Sequence, residues 1–321
     1  MREHGDGHGR RLRIAVVEKN RGPYWDMVNA GWRDAAERLG LDLIIEAPVY
    51  EAVADQVGAI RRHLAAGVDG VAFVASDETA FDEVVAEATV AGVPVVTFDL
   101  DAPRSGRSLF VGMPEAVELG RQAGRLMAER VPAGSRVLVQ TGSAKAPGAV
   151  GKLRGFLEVM ARAGLEVVGG EDDGERIELA TANARAALAD EPGIAGCYGV
   201  YGYHAPVQAA VVEAAGRAGE IVVIGNDMLP ETAAAIARGT VAASIWIREY
   251  YFGYHAAAAI AMVARLGTAE ALTLLGFDPV RAELNQRRPA PQVVTAENLA
   301  EFTGWAKTHQ VFERTAATTG T

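Results

Sequence analysis

Residues 12–40 read LRIAVV (12–17), EKNRGPYWD (18–26) and MVNAGWRDAAERLG (27–40). The first run is rich in β-branched residues and does not alternate apolar with polar, the pattern of a strand buried on both faces. The last run has a helical pattern and ends in Gly40, the residue expected just past a helix. Between them, Gly22-Pro23 sets a turn, and Tyr24 and Trp25 stand side by side where the strand hands over to the helix.

The same unit recurs along the chain. Apolar runs at 41–46, 70–75, 93–98, 109–112, 136–141, 165–170, 194–200, 220–225 and 241–247 read as strands. Helical patterns at 25–39, 51–66, 79–91, 115–130, 150–163, 177–189, 205–218 and 249–265 separate them, several closed by Gly40, Gly67, Gly92, Gly164 or Gly219. A βαβα succession of this kind predicts an α/β fold of parallel sheets. The strands outnumber one compact sheet, so two Rossmann-like doubly wound lobes are expected, joined by a multi-crossing hinge. The expected boundaries are 11–112 plus 249–283 for the first lobe and 113–248 plus 284–315 for the second, with flexible tails at 1–10 and 316–321. RRPAPQVV (287–294) reads as an extended crossing, since Pro289 and Pro291 oppose helix. After it, TAENLAEFTGWAKTHQ reads as a helix with Thr295 as N-cap and Asn298 at N3.

Composition excludes several classes. The 321 residues carry a net charge of −10, which argues against a nucleic-acid partner. The clustered Arg10, Arg11 and Arg13 read as part of a solvated, flexible tail. Cys197 is the single cysteine, so no intrachain disulfide can form. No apolar run reaches the ~18 residues of a membrane span, and IAVV is too short for the ~7–15-residue core of a secretory signal. The expectation is a protein that is cytoplasmic, or extracytoplasmic by virtue of a signal that this sequence does not display.

In open α/β sheets, ligands bind beyond the carboxyl ends of the strands. The loops there offer Tyr24 and Trp25, Asp99 and Asp101, Tyr203 and His204, Asp227, and Trp246 with Arg248; Lys152 follows the strand at 136–141. Rings stack on C–H faces while carboxylates and cations fix hydroxyls, a combination that suits a sugar or polyol. The alternative reading of the rings is that they cap the core.

The order of elements and the stretches GPYWDMVNAGWRDAAERLG, AAGVDGVAFVASDETAF, AGVPVVTFDLDAPRSGRSLFVG, the RGF at 154–156, DEPGIAGCYGVYGYHAPVQAAVVEAAG and GEIVVIGNDMLPETAAAIARGTVAASI resemble the type 1 periplasmic binding proteins of sugar type, across nearly all of 12–265. The resemblance implies two lobes closing on a small ligand, delivery to a transporter permease, monomeric action, and no cofactor. It places ligand contacts at Tyr24, Trp25, Asp99 and Asp227. The motif is incomplete elsewhere: Gly22 stands where an Asn is common, Lys152 where an Arg is usual, and Ile247 where a Gln is usual. A Lys cannot reproduce the planar fork of Arg, so a pentose such as ribose is not expected.

Rival classes find less support. Residues 146–153, APGAVGKL, approach a phosphate loop but lack its first Gly and the hydroxyl after the Lys. No GxGxxG follows the first strand, and no GxSxG elbow occurs, so no enzyme is expected. His4 and His8 sit in a Gly-rich terminus that will not hold a helical metal site, and no metal is expected. His204 could donate to a ligand and make affinity pH-dependent, or be a satisfied structural histidine. A ligand sensor in the cytoplasm, acting through a protein partner, remains the alternative function.

Overall fold

The computed structural model describes residues 10–311 except 23, 50, 51, 144, 192, 282 and 283. In chain order the elements are β1 (Leu12–Val17), α1 (Tyr24–Leu39), β2 (Leu41–Glu46), α2 (Val53–Ala65), β3 (Gly70–Phe73), α3 (Asp82–Val90), β4 (Val95–Asp99), β5 (Leu109–Gly112) and α4 (Ala116–Ala128). Then come β6 (Arg136–Thr141), α5 (Pro147–Ala163), β7 (Glu166–Asp172), α6 (Ile177–Asp190), β8 (Ile194–Gly199), α7 (His204–Ala214), β9 (Val222–Asn226), α8 (Pro230–Ala237) and β10 (Val241–Trp246). The chain ends with α9 (Tyr250–Leu266), α10 (Thr268–Leu274), β11 (Gln286–Arg287), β12 (Gln292–Val294) and α11 (Leu299–Thr308).

The chain divides into two units. The first holds the described residues of Met1–Met113, Glu249–Pro289 and His309–Thr321, the second Pro114–Arg248 and Ala290–Thr308. Each contains one six-stranded sheet, ordered β11-β5-β4-β3-β1-β2 in the first and β12-β10-β9-β8-β6-β7 in the second. All pairings are parallel except the antiparallel β10–β12 edge. The two-sided burial read from the apolar runs is present: β3, β4 and β5 are buried at every position, as is β1 beyond Arg13. The fold class expected from the sequence is therefore the one observed.

Within each unit one helix pair touches backbone to backbone. On α1 and α9, a Cβ at Gly31 would lie 1.9 Å from the Tyr250 carbonyl oxygen, and one at Gly253 would lie 2.1 Å from that of Val28. On α4 and α5, Gly120 faces the Lys152 carbonyl at 1.8 Å and Gly155 that of Val117 at 1.9 Å, measured the same way. No side chain fits at these four positions, so reciprocal glycines set both helix spacings.

Local expectations differ from the structure at several points. Arg13 lies inside β1, Arg10 pairs with Asp69 at 2.5 Å and Arg11 with Asp42 at 2.5 Å, so these arginines tie the first strand to its neighbours. The helix expected from Thr295 begins at Leu299. Asn298 Oδ1 accepts the Thr295 N–H at 2.9 Å, making Thr295–Asn298 a turn before the helix. Residues 286–287, expected with the second lobe, pair with β5 of the first sheet. The short helices α8 and α10 were not among the helical patterns read from the sequence. His4, His8 and the tail from 316 lie outside the described residues.

Candidate functional site

In the first unit the face at the carboxyl ends of the strands is built around β1 and β4. After β1, the Trp25 N–H bonds the Gly22 carbonyl at 3.1 Å, and α1 starts at Tyr24. Successive helical residues point ~100° apart, and the two rings part company here. Tyr24 is half-buried, and its hydroxyl donates to Asp99 Oδ1 at 2.6 Å. Trp25 is 3 % exposed, meets Phe98 edge-on at 6.3 Å and donates its indole N–H to Asn20 Oδ1 at 2.8 Å. Asp99 ends β4 with a backbone φ of 61°, a left-handed value that a non-glycine residue adopts only at a cost.

Three further carboxyls lie at this end of the sheet. Glu18, one residue past β1, is 3 % exposed, and burial away from water is the main reason its carboxyl is pushed up to about 8. Asn29 of α1 hydrogen-bonds it and exposed Arg33 lowers it, while Asp26 and Asp99 raise it further. Asp26 is itself raised, again by burial first. Asp101, an expected ligand contact, is internal instead. Its oxygens accept from Thr97 Oγ1 at 2.7 Å, Arg107 Nε at 2.7 Å and Arg107 Nη2 at 2.6 Å. Arg107 is fully buried and also donates to the Asn285 carbonyl at 3.2 Å, so Asp101 is a strut for the loop between β4 and β5. Gln56, which sequence reading passed over, ties β1 to β3: its Nε2 donates to the Glu18 and Val74 carbonyls at 3.1 and 2.8 Å.

The second unit has a matching face. Asp227 directly follows β9, again with φ 61°, and its N–H bonds the Ile245 carbonyl at 2.9 Å. Gly202 packs against it: a Cβ there would meet Asp227 Oδ2 at 3.1 Å. Beside them is a cluster that the sequence did not disclose. Asp173, 1 % exposed just past β7, accepts from Tyr203 Oη at 2.5 Å and from His204 Nε2 at 2.7 Å. His204 Nδ1 accepts the Tyr201 N–H at 3.0 Å, so the ring proton sits on Nε2. Burial, above all, lowers the His204 pKa, and the ring is neutral at neutral pH. His204 is therefore the satisfied structural histidine, fully buried with both nitrogens engaged, and not a direct ligand donor. Tyr203 remains half-buried at the face.

Two other expected contacts turn inward. Trp246 is 3 % exposed and packs on Phe302 at 4.9 Å and Trp305 at 4.6 Å, ring centre to ring centre, so it seats α11. Arg248, with φ 62°, lays its guanidinium 5.8 Å from the Trp246 ring. Lys152 on α5 is buried, and its Nζ donates to the Val200 carbonyl at 3.1 Å, bracing the end of β8. Among the described residues no group of three or more His, Cys, Asp or Glu side chains could hold a metal ion, and no helix is long and apolar enough to cross a membrane.

These faces can be set beside known proteins. A protein from Pseudomonas aeruginosa called D-ribose/D-allose-binding protein is 29% identical over 196 residues, which span 59% of this chain and 61% of that protein. The crystal structure of a glucose-galactose binding protein from Geobacillus stearothermophilus superposes with a TM-score of 0.75 at 29% identity, covering 90% of this chain and 99% of that one. An ABC transporter solute-binding protein from Burkholderia graminis, in complex with D-arabinose, superposes with a TM-score of 0.80 at 22% identity, covering 92% and 98%; at that identity the likeness is one of fold. The model of the periplasmic binding protein domain matches residues 14–269. That match takes in every strand of both sheets except β11, β12 and the first two residues of β1, and with them both carboxylate-bearing faces; the chain belongs to the periplasmic binding protein family, type 1.

Proposed function

We propose that this protein captures a sugar or sugar-like solute and delivers it to the permease of an ABC transporter, acting as a monomer outside the cytoplasm. The observation that carries this reading is the Tyr24–Asp99 pair, an aromatic ring hydrogen-bonded to a carboxylate at the end of a central strand. A ring face takes the C–H side of a pyranose or furanose, and a carboxylate already oriented by a phenol accepts from its hydroxyls. Asp227 supplies the same chemistry from the second unit, with Gly202 packed against it and the half-buried Tyr203 next in the chain; Lys152 and Arg248 support that face by bracing Val200 and stacking on Trp246. Asp101, Trp246 and His204 act through the groups they position, and Trp25 supports Tyr24 from beneath.

The reading needs no bond-making chemistry. His204, the buried histidine of the second unit, gives both nitrogens to Asp173 and to backbone, and so holds no ring nitrogen ready to act as a base. A family built to bind and release uses two lobes that each hold part of the ligand, so occupancy becomes a change the permease can read.

The test is a thermal-shift and calorimetric screen of aldoses, ketoses and polyols. A true ligand at about 100 times its dissociation constant adds about 2.7 kcal/mol of stability, and Asp99→Asn or Asp227→Asn should each weaken binding about tenfold or more while the protein stays folded. A screen without any hit, or variants that bind as the parent does, would refute this assignment.

A further inference from the structure

Two buried relays fix where a hydroxyl at each face sends its proton. In the first unit the relay starts at Gln56 of α2, which is fully buried. Both hydrogens of its Nε2 go to backbone carbonyls, that of Glu18 at 3.1 Å and that of Val74 at 2.8 Å. A carbonyl can only accept, so the amide cannot be turned over, and its Oε1 is left as an acceptor. Ser76 Oγ lies 2.6 Å from that Oε1 and must donate to it. A hydroxyl has one proton and two lone pairs. With its proton committed inward, half-buried Ser76 offers a neighbour lone pairs alone.

Ser76 stands among the groups of the candidate site. It follows β3, which lies between β4 and β1 in the sheet. Just before it, the Ala75 N–H bonds the carbonyl of Leu100, the residue after Asp99, at 3.3 Å. On the other side, Gln56 links Ser76 to Glu18, just past β1.

The second unit reaches the same outcome by other means. The Tyr201 N–H can only donate, so His204 Nδ1 accepts it at 3.0 Å and the ring proton sits on Nε2. That proton goes to Asp173 Oδ2 at 2.7 Å, and the Glu175 N–H goes to Asp173 Oδ1 at 3.0 Å. Both oxygens of Asp173 are thus acceptors, and the Tyr203 hydroxyl, 2.5 Å from Oδ1, donates to it as well. Burial first, and then this hydrogen bond, raise the Tyr203 pKa, so the phenol keeps its proton. Half-buried Tyr203 therefore also presents lone pairs. Tyr24, whose hydroxyl donates to Asp99 at 2.6 Å, follows the same rule.

Resting on the sugar-binding reading above, we propose that Ser76 and Tyr203 contact the ligand as obligate acceptors, so that each face reads sugar hydroxyls by the protons they donate. The ligand is then a sugar with free hydroxyls at the positions these two residues touch. A substituent that can only accept, such as an ether oxygen or a fluorine, meets lone pairs there and is rejected even where it fits. A serine or tyrosine whose proton was free to turn would tolerate both kinds of group.

The experiment is isothermal titration of the full chain with D-glucose, D-galactose and their monodeoxy and monodeoxyfluoro analogues. It is repeated on Ser76→Ala and Tyr203→Phe, with circular dichroism confirming the fold of each. Removing the sugar hydroxyl read by either residue should weaken binding about tenfold. In the matching variant that penalty should vanish, while penalties at other positions stay. At the same position the fluoro analogue should bind the unsubstituted protein as weakly as the deoxy analogue, because fluorine does not donate. A fluoro analogue that restores binding there would overturn the proposal, since the residue would then be donating, and would leave the sugar-binding reading intact. Variants in which no deoxy penalty changes would overturn it as well. A folded protein that binds neither hexose would overturn this proposal and count against the broader reading too.

Discussion

Asp101→Ala separates a strut from a ligand contact. The carboxylate accepts three hydrogen bonds, two of them from Arg107, whose side chain is fully buried. Removing it takes from the buried guanidinium the carboxylate that accepts two of its hydrogen bonds, while the contact to the Asn285 carbonyl at 3.2 Å stays. Breaking a buried pair from one side costs about 3–5 kcal/mol, a large part of the 5–15 kcal/mol that holds a typical domain. Urea denaturation of the variant, followed by far-ultraviolet circular dichroism, should show the midpoint lowered by that amount with the slope unchanged. Asp101→Asn keeps an acceptor for Thr97 and should lose less, about 1.5–3 kcal/mol. The double variant Asp101→Leu with Arg107→Met should recover much of the loss, since no charge is then left uncompensated. Under native conditions the Asn variant should bind ligand within a few-fold of the parent. The reasoning fails if Asp101→Ala costs under about 1 kcal/mol while ligand affinity collapses, for then Asp101 contacts ligand and Arg107 is served by other groups.

Glu18 gives a pH signature. Its carboxyl is near 4.5 when unfolded and about 8 when folded, so between these values the native state holds the extra proton and stability falls as pH rises. From pH 6.5 to 8 the loss should approach about 1 kcal/mol per pH unit, and Glu18→Gln should remove that slope in urea midpoints measured across the range. His204 has the opposite sign: its folded pKa is lowered, so its contribution is lost as pH falls below the unfolded value, and His204→Gln should blunt acid destabilisation without altering ligand affinity between pH 7 and 8. Gly155→Ala forces a methyl to within 1.9 Å of the Val117 carbonyl and should cost about 1–3 kcal/mol or more by the same denaturation assay. Tyr24→Phe removes the hydroxyl that donates to Asp99 at 2.6 Å and should weaken the screened ligand about tenfold in calorimetry, with the ring's stacking retained.

The framework was legible because it rests on local rules. Runs such as IAVV and VVTF admit little besides a doubly covered strand, and Gly40, Gly67, Gly92 and Gly164 do take the left-handed conformation that ends a helix. The site was legible only in part, because partners come from distant segments. Nothing near Asp101 in sequence says whether Arg107, six residues on, turns inward to meet it or outward to water. Asp173 lies 31 residues from His204, and Gln56 lies 38 from Glu18. Tyr24 and Trp25 looked like a stacking pair because they are adjacent, yet adjacency on a helix sends one ring into the core when the other faces out. The buried Trp246 is explained by α11, which follows it by more than fifty residues and brings Phe302 and Trp305.

Asp99 and Asp227 carry the functional reading by a route independent of motif. The two sheets have the same strand order when each is read from its short edge strand, β11 or β12, and in both the third strand leads into a left-handed aspartate, Asp99 as the last residue of β4 and Asp227 directly after β9. Both aspartates adopt φ 61°, where an L-residue costs about 1–2 kcal/mol and glycine costs little. The chain has 36 glycines and uses them freely at other left-handed positions, so glycine was available for these two. Stability alone would favour it at both. Retaining a carboxylate at the same strained turn in two units, against that preference, is what a requirement for two acceptors at fixed positions would produce. Strain of this kind persists where the surrounding structure holds the side chain in place for a purpose other than folding. The hydroxyl of Tyr24 on Asp99 and the close packing of Gly202 on Asp227 are the means by which each unit holds its own.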